Sequence, residues 1–453
     1  MKIVTSYKAK IVNENLNKRA LKDTVNIYRR AVSFFVDVVN SEWDIISVLR
    51  SKTRCNCVEA LTIQTHGNPN PKYDFNAKFY KMPSYLRRAA LQAAVGIVSS
   101  YRSNLKNWVS IPENSNKPPR LAVQCDVMPV FYNTGMFKEV GGTIFIKLFS
   151  NKHWNWHQIS LREQDLKYFR NKLSEKKRLC PVLQVIGKQW YLRFAFEESK
   201  TLSDTSISER VIVSVDLGLN NEAAVCAMNS DGTVIDRRIF SLSKEKDRLN
   251  KKIGKIKKAQ RKGNRSTPRL WSLTNNVNRD ISRKTAKFII DFAVLHNADV
   301  IVLEHLLSLS KKKKHGTKKQ RLHLWRISEI QEIVKLRAHQ NGMRYAYVNA
   351  AYTSRLAFDG SGTVKRGRYV QGGAVRRNNS ICTFTTGKQY HIDLNAAYNV
   401  GARYFIREIL KTCPETDRLA LEAKVPQVAK RTTCTLSSLI SLVAAIKDLS
   451  LIC

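Results

Sequence analysis

The stretch Val211-Ile-Val-Ser-Val-Asp-Leu-Gly-Leu-Asn-Asn-Glu-Ala-Ala-Val225 decides the fold. Val211–Val215 reads as a strand of the fully buried kind, covered on both faces, as strands inside α/β sheets are. Asp216 ends that run and is followed by Leu217-Gly218. A second strand, Glu222–Met228, leads through a turn at Asn229-Ser-Asp-Gly232 to a third, Thr233–Phe240. The unit is a meander with a carboxylate at the end of its first strand.

Downstream, Lys244 to Arg269 is helical and very basic, and Arg279 to His296 has the apolar period of an amphipathic helix. The strand Val300–Leu303 again ends in an acid, Glu304. A lysine-rich loop follows, with Lys311, Lys312, Lys313, Lys314, Lys318, Lys319 and Arg321. Then come a helix over Leu324–Asn341, a strand over Tyr345–Asn349, and a Gly/Arg-rich insert from Arg355 to Lys388. His391-Ile-Asp393-Leu-Asn395-Ala-Ala-Tyr-Asn399 opens a helix running to Leu410. Past Pro414 the tail ends in an apolar, helix-like run, Leu436 to Ile452, expected to dock on the body.

Upstream, Met1 to Ile11 reads as a strand and Leu16 to Trp43 as a helix. A polar stretch with Gly67, Pro69 and Pro71 breaks the pattern. Pro83 begins a second long helix whose other face carries Arg87, Arg88, Arg102 and Lys106. Those cations either grip a nucleic-acid backbone or form a solvated face. Between Leu121 and Phe196 the pattern becomes short strands, with hairpin turns at Gly141-Gly142 and Gly187-Lys188. The interleaved aromatics there (Phe131, Tyr132, Phe145, Trp154, Trp156, Trp190, Tyr191) suit a core first and base stacking second. Ser199 to Arg210 is polar and marks a domain boundary.

Charge narrows the class. The 453 residues include 78 Lys+Arg against 36 Asp+Glu, a net charge of +42. A surface that positive repels itself when compact and points to a polyanionic partner. Nucleic acid is the usual one, because each neutralised phosphate releases counterions. An anionic membrane surface is the runner-up by the same electrostatic logic, but no stretch reaches the ~18 uninterrupted apolar residues of a membrane helix, and no membrane partner is expected. The opening MKIVTSYKAK lacks the apolar region of a signal peptide. Nine scattered cysteines read as reduced thiols of a cytoplasmic, nucleoid-associated protein, and no CxxC occurs.

Asp216, Glu304 and Asp393 stand at the ends of buried elements. Phosphodiester hydrolysis needs such carboxylates, because two divalent cations roughly 3.5–4 Å apart must be held against the scissile phosphate. Mg²⁺ suits an all-oxygen site. Strand C-terminal ends are where sites form in α/β sheets. A single acid after a strand is ordinarily a cap or turn residue; three of them on so basic a chain point to catalysis.

The segments VIVSVDLGLNNEAAV, ADVIVLEHLLSL and AAYTSR…HIDLNAAYNVGARY resemble the three RuvC motifs of TnpB proteins and compact type V CRISPR effectors of the Cas12 lineage. The resemblance covers Val211 to Tyr404 in motif detail. It implies an α/β plus α+β chain: an RNase H-like (RuvC) nuclease domain preceded by a β-barrel-like wedge domain with an inserted α-helical recognition lobe. The expected spans are 1–14 and 119–203 for the wedge and 15–118 for the lobe. The nuclease would occupy 204–350 and 391–412, with an insert at 351–390 and a tail at 413–453. By matching position, Asp216, Glu304 and Asp393 would be the metal-binding triad, with the lysine loop Lys311–Lys314 as a lid. The family's zinc ribbon has cysteines where this chain has Ala357, Gly360, Thr383 and Thr386, while Ser354 and Gly387 remain in register and Cys382 lies one residue off. No structural zinc is expected. Arg366, Arg368, Arg376 and Arg377 of the insert would be metal-free nucleic-acid contacts.

The function implied is RNA-guided DNA cleavage. A guide RNA, from a transposon end or a CRISPR array, would pair with double-stranded target DNA beside a short flanking motif, and one Mg²⁺ site would cut. A guided repressor that does not cut and an RNA-free nuclease or transposition accessory protein are the alternatives. The sequence sets no oligomeric state.

Overall fold

A computed structural model describes residues 1–13, 18–110, 117–121, 126–132, 135–264, 266–306, 326–367, 369–371, 374–376 and 380–450. They fall into two compact units, Lys2–Glu198, and Ser199–Cys453 together with Met1. Among the described residues, no helix is long and apolar enough to cross a membrane.

In the first unit the helices Lys18–Ser41 and Ser84–Val109 pack on each other. The inward face of Lys18–Ser41 (Leu21, Val25, Tyr28, Val32, Phe35, Val39) repeats at three to four residues and is wholly buried. Two sheets complete the unit. Phe137–Val140, Thr143–Ser150 and His153–Ile159 form an antiparallel set, joined at the turn expected at Gly141-Gly142. Lys2–Lys10, Lys177–Arg178 and Val182–Ile186 gather around the long strand Gln189–Ser199. A helix, Glu163–Leu173, stands where only strands were expected. Its signal is charge: Glu163 and Asp165 in the first turn and Arg170 and Lys172 in the last complement the helix dipole. Of the aromatics in this region, Phe131 is fully buried, and Tyr132, Trp154 and Trp190 pack against the core.

The second unit is built on a five-stranded mixed sheet. Its order is Val234–Phe240, Ala223–Met228, Ile212–Asp216, Val300–Glu304, Arg344–Val348. The first three run antiparallel as the expected meander, and the last three run parallel. Side chains alternate across a strand, so odd and even positions face opposite ways. Val213, Val215, Ile301 and Leu303 meet the helices Pro268–Leu295 and Ile327–Gln340. Ile212, Val300 and Val302 face the helices Ile392–Thr412 and Leu436–Ser450. The helix expected from Arg279 begins eleven residues earlier, at Pro268, because proline's fixed φ suits a first helical turn.

Helix Ile392–Thr412 lies close on the sheet through Gly401. A Cβ there would meet Ser214 Oγ and Met228 Sδ, each at 3.1 Å. Gly254, inside the helix Ser243–Arg261, has nothing within 4 Å of its Cβ position. Two substitutions therefore have opposite expected signs in urea unfolding. Gly254→Ala stabilises by about 0.5–1 kcal/mol through reduced backbone entropy. Gly401→Val destabilises by about 1–3 kcal/mol, because the helix must lift from the sheet.

Candidate active site

Asp216 and Glu304 end two neighbouring parallel strands. Their register runs Val300↔Ile212 through Leu303↔Val215, so the next pair in line is Glu304 beside Asp216. Both have the even parity of Ile212 and Val302 and face the helix Ile392–Thr412. Asp393 lies in the first turn of that helix, where a negative charge suits the helix dipole. The structure thus brings the three acids to one end of the sheet. Gly218 lies beside Asp393: its Cβ position is 3.8 Å from Asp393 Oδ2 and 2.7 Å from the Asn221 carbonyl, too close for a larger residue.

Glu304 and Asp393 are held from behind. Thr353 Oγ1 donates to Glu304 Oε1 at 2.6 Å, and Gln331 Nε2 donates to the Glu304 carbonyl at 2.9 Å. Asn221 Nδ2 donates to Asp393 Oδ2 at 2.8 Å. His391 caps the helix, its Nδ1 accepting from the Asp393 amide at 3.3 Å.

Crowding shows in the protonation equilibria. Burial, then the charges of Glu304 and Asp393, raise the Asp216 carboxyl well above the usual range, and the Arg366 cation offsets part of this. Burial pushes Glu304 up to about 7 despite the Thr353 hydrogen bond and the Arg403 charge, both of which pull it down.

The donors suit Mg²⁺ in kind, being carboxylate oxygens whose mutual repulsion a cation would relieve. Among the described residues, no group of three or more His, Cys, Asp and Glu converges as a preformed metal cluster. This is compatible with Mg²⁺, which keeps several waters and takes one or two carboxylates plus substrate phosphates.

The insert is organised by apolar packing. Ala357, Val364, Cys382, Phe384 and Ile392 form a small core, flanked by Phe358 and Tyr390. Strands Lys365–Arg366, Ile381–Thr383 and Gln389–His391 pair around it. Of the four positions matching zinc ligands, Ala357 is inside that core and Gly360 is in a left-handed turn. Thr383 is in a strand and Thr386 is exposed. Arg366 is exposed and donates to Ser354.

The other basic candidates divide. Arg87 and Arg88 both pair with Glu59, and Arg87 keeps only 16% of its side-chain surface. Arg102 donates to the Asn40 backbone and side chain. Arg87 and Arg102, expected as nucleic-acid contacts, are both engaged between helices of the first unit. Lys106 and Arg88 are exposed. Lys311, Lys312, Lys313, Lys314, Arg368 and Arg377 lie outside the described residues, and Arg376 is described only as part of the strand Ala374–Arg376. Absent from the sequence reading was a stripe on the helix Ser243–Arg261. Lys244, Arg248, Lys251, Lys255 and Lys258 recur every three or four residues on its exposed face, opposite the buried Ile253 and Ile256. Its spacing was legible all along.

Comparison with known proteins bears on the family and the fold. The profile of the Aq_aa04 family matches residues 5–150. The TnpB-like protein aq_aa05 of Aquifex aeolicus (strain VF5) is 28% identical over 187 residues, 37% of this chain and 60% of that protein. A second protein of that strain, aq_aa04, is 32% identical over 112 residues, 22% of this chain and 63% of its own length. The cryo-EM structure of a Cas12f1–sgRNA–target DNA complex superposes with a TM-score of 0.54 at 12% identity, covering 88% of this chain and 98% of that one. The chain is similar to a TnpB-like protein in sequence and to a Cas12 effector in fold. It spans about three fifths of the length of the two curated relatives.

The raised carboxyls carry a stability consequence. Both hold protons more tightly folded than unfolded. Their contribution is therefore full below about pH 4, near the ordinary carboxylate values, and for Glu304 it is lost as pH rises through about 7. Without divalent cations at pH 8, Asp216→Asn and Glu304→Gln should melt above the parent by roughly 2 °C or more. At pH 5 the difference should shrink. A parent that melts higher than both variants at pH 8 would contradict the electrostatic account.

Proposed function

We propose that this chain is an RNA-guided DNA endonuclease cutting at a single RuvC-type, RNase H-like centre of Asp216, Glu304 and Asp393. The observation that carries the proposal is the pairing of Asp216 and Glu304 on adjacent parallel strands, under the helix that bears Asp393. The similar Cas12f1 structure is a complex with sgRNA and target DNA, and a chain of +42 suits the same partners. The unit Lys2–Glu198 would supply the wedge and recognition lobe, and the cytoplasm, about the nucleoid, would be its site of action.

Asp216, Glu304 and Asp393 would hold Mg²⁺. When bound, it would lower the pKa of the attacking water and stabilise the leaving oxygen. The chain's own groups prepare the site. Thr353 and Gln331 fix Glu304 by side chain and backbone, and Asn221 fixes the rotamer of Asp393. The stripe on Ser243–Arg261 would track a phosphate backbone, and the apolar core of the insert would do the holding that zinc does in the family.

Two experiments test this. The protein purified with its RNA should cut a plasmid matching the guide in Mg²⁺, and Asp216→Ala should lose cutting while keeping RNA and target binding. Binding without cutting by the parent would favour the repressor; no discrete RNA would overturn the proposal. In the second, replacing Lys251, Lys255 and Lys258 by Gln should weaken nucleic-acid affinity and flatten its log–log salt slope by about 2–3. An unchanged slope would remove that helix from the interface.

A further inference from the structure

The residues after Pro414 take no part in the chemistry above, yet their backbone is tied to the carboxylate site at two successive turns of the helix Ile392–Thr412. Arg403 is 4% exposed. Its Nη1 donates to the carbonyls of Asn349 and Ala351, each at 2.7 Å. Its Nη2 donates to the Thr432 carbonyl at 2.8 Å and its Nε to the Cys434 carbonyl at 3.2 Å. One turn earlier, the buried Asn399 repeats the arrangement. Its Nδ2 donates to the carbonyls of Thr353 and Leu356, each at 2.9 Å, and its Oδ1 accepts from the Leu436 amide at 3.2 Å. Each residue joins the loop 349–356 on one side to the segment 432–436 on the other.

That loop carries Thr353, whose hydroxyl holds Glu304. Between the two carbonyls gripped by Arg403 and Thr353 itself lies Tyr352, at φ +63°. A non-glycine residue stays in this left-handed region when its surroundings over-determine it. The segment is itself anchored. Leu436, Leu439, Leu442 and Ala445 enter the same core as the helix Ile392–Thr412, and the Ser437 amide donates to the Phe358 carbonyl at 2.8 Å. A buried cation satisfied by carbonyls of two segments is a costly way to fill space, since an apolar side chain would do that without desolvating a charge. What arginine adds is a rigid fork that fixes both segments at once.

We propose that the C-terminal segment Thr432–Ser450 is a positioning element of the nuclease centre. It acts through Arg403 and Asn399 on the loop that orients Glu304. The proposal rests on the nuclease reading, and the two fail separately: guide-dependent cutting by the parent tests that reading, while the ratio of variant to parent rates tests this one.

The experiment uses the full chain with its RNA and compares Arg403→Lys, Thr353→Val and the double variant. Melting temperature, target-DNA affinity and single-turnover cutting rate are read for each. Lysine keeps the charge but presents its donors from one nitrogen, so it does not span both segments. Each single variant should cut about 10- to 100-fold more slowly, with target affinity within about twofold of the parent. The double variant should be no slower than the slower single, since both changes release the same carboxylate. Multiplied losses in the double, cutting at the parent rate, or RNA binding lost in step with cutting would each overturn the proposal. Should Arg403→Lys fail to fold, Leu436→Pro carries the test. It removes the amide that Asn399 accepts from, at a first helical position where proline is tolerated. It too should slow cutting more than binding, and parallel loss of both would overturn the proposal.

Discussion

Like charges at the ends of adjacent parallel strands are the constraint on which the rest of the second unit depends. Strand register sets Glu304 beside Asp216, and burial denies both the water that would otherwise screen them. The result is one carboxyl raised well above its usual range and another raised to about 7. Such a pair is poorly placed for stability alone and well placed to take a cation, which is the pattern of perturbed groups at functional sites.

Much of the surrounding architecture manages that strain. The parity of the strands turns both acids towards the helix Ile392–Thr412, and Gly401 lets the helix come close enough to deliver Asp393. Thr353 and Gln331 hold Glu304, and Asn221 holds Asp393. Arg403 brings a positive charge near Glu304 while its own hydrogen bonds go to backbone carbonyls. The insert that carries Arg366 close to Asp216 is held by aromatic packing, with the Phe358 ring centroid 5.0 Å from Tyr390 and 5.4 Å from Phe384.

The sheet and its three acids were legible because they obey local rules. A buried strand without alternation, followed by an acid, is visible at Val211–Asp216 and again at Val300–Glu304. The meander announces itself by its turn at Asn229–Gly232. What stayed hidden depends on long-range contact. Asn221 reaches a residue 172 positions away, and Thr353 one 49 positions away. Arg403 looks like an ordinary helix residue until its carbonyl partners are seen. The same limit explains Arg87 and Arg102, whose basic character suggested a nucleic-acid face before Glu59 and Asn40 supplied internal partners. The helix Glu163–Leu173 was missed for a different reason: its apolar period rests on only Leu166, Phe169 and Leu173, in a short run set among strands.

The central claim is that these carboxylates act on a phosphodiester through a divalent cation. Its most direct test is metal-switch rescue. The cut position is first mapped on unmodified target, and a target with one phosphorothioate at that position is then prepared. The account predicts slow cutting of the sulfur-substituted strand in Mg²⁺ and recovery in Mn²⁺, which accepts sulfur ligands more readily. Equal slowing in both metals, on a target whose unmodified form is cut normally, would contradict it.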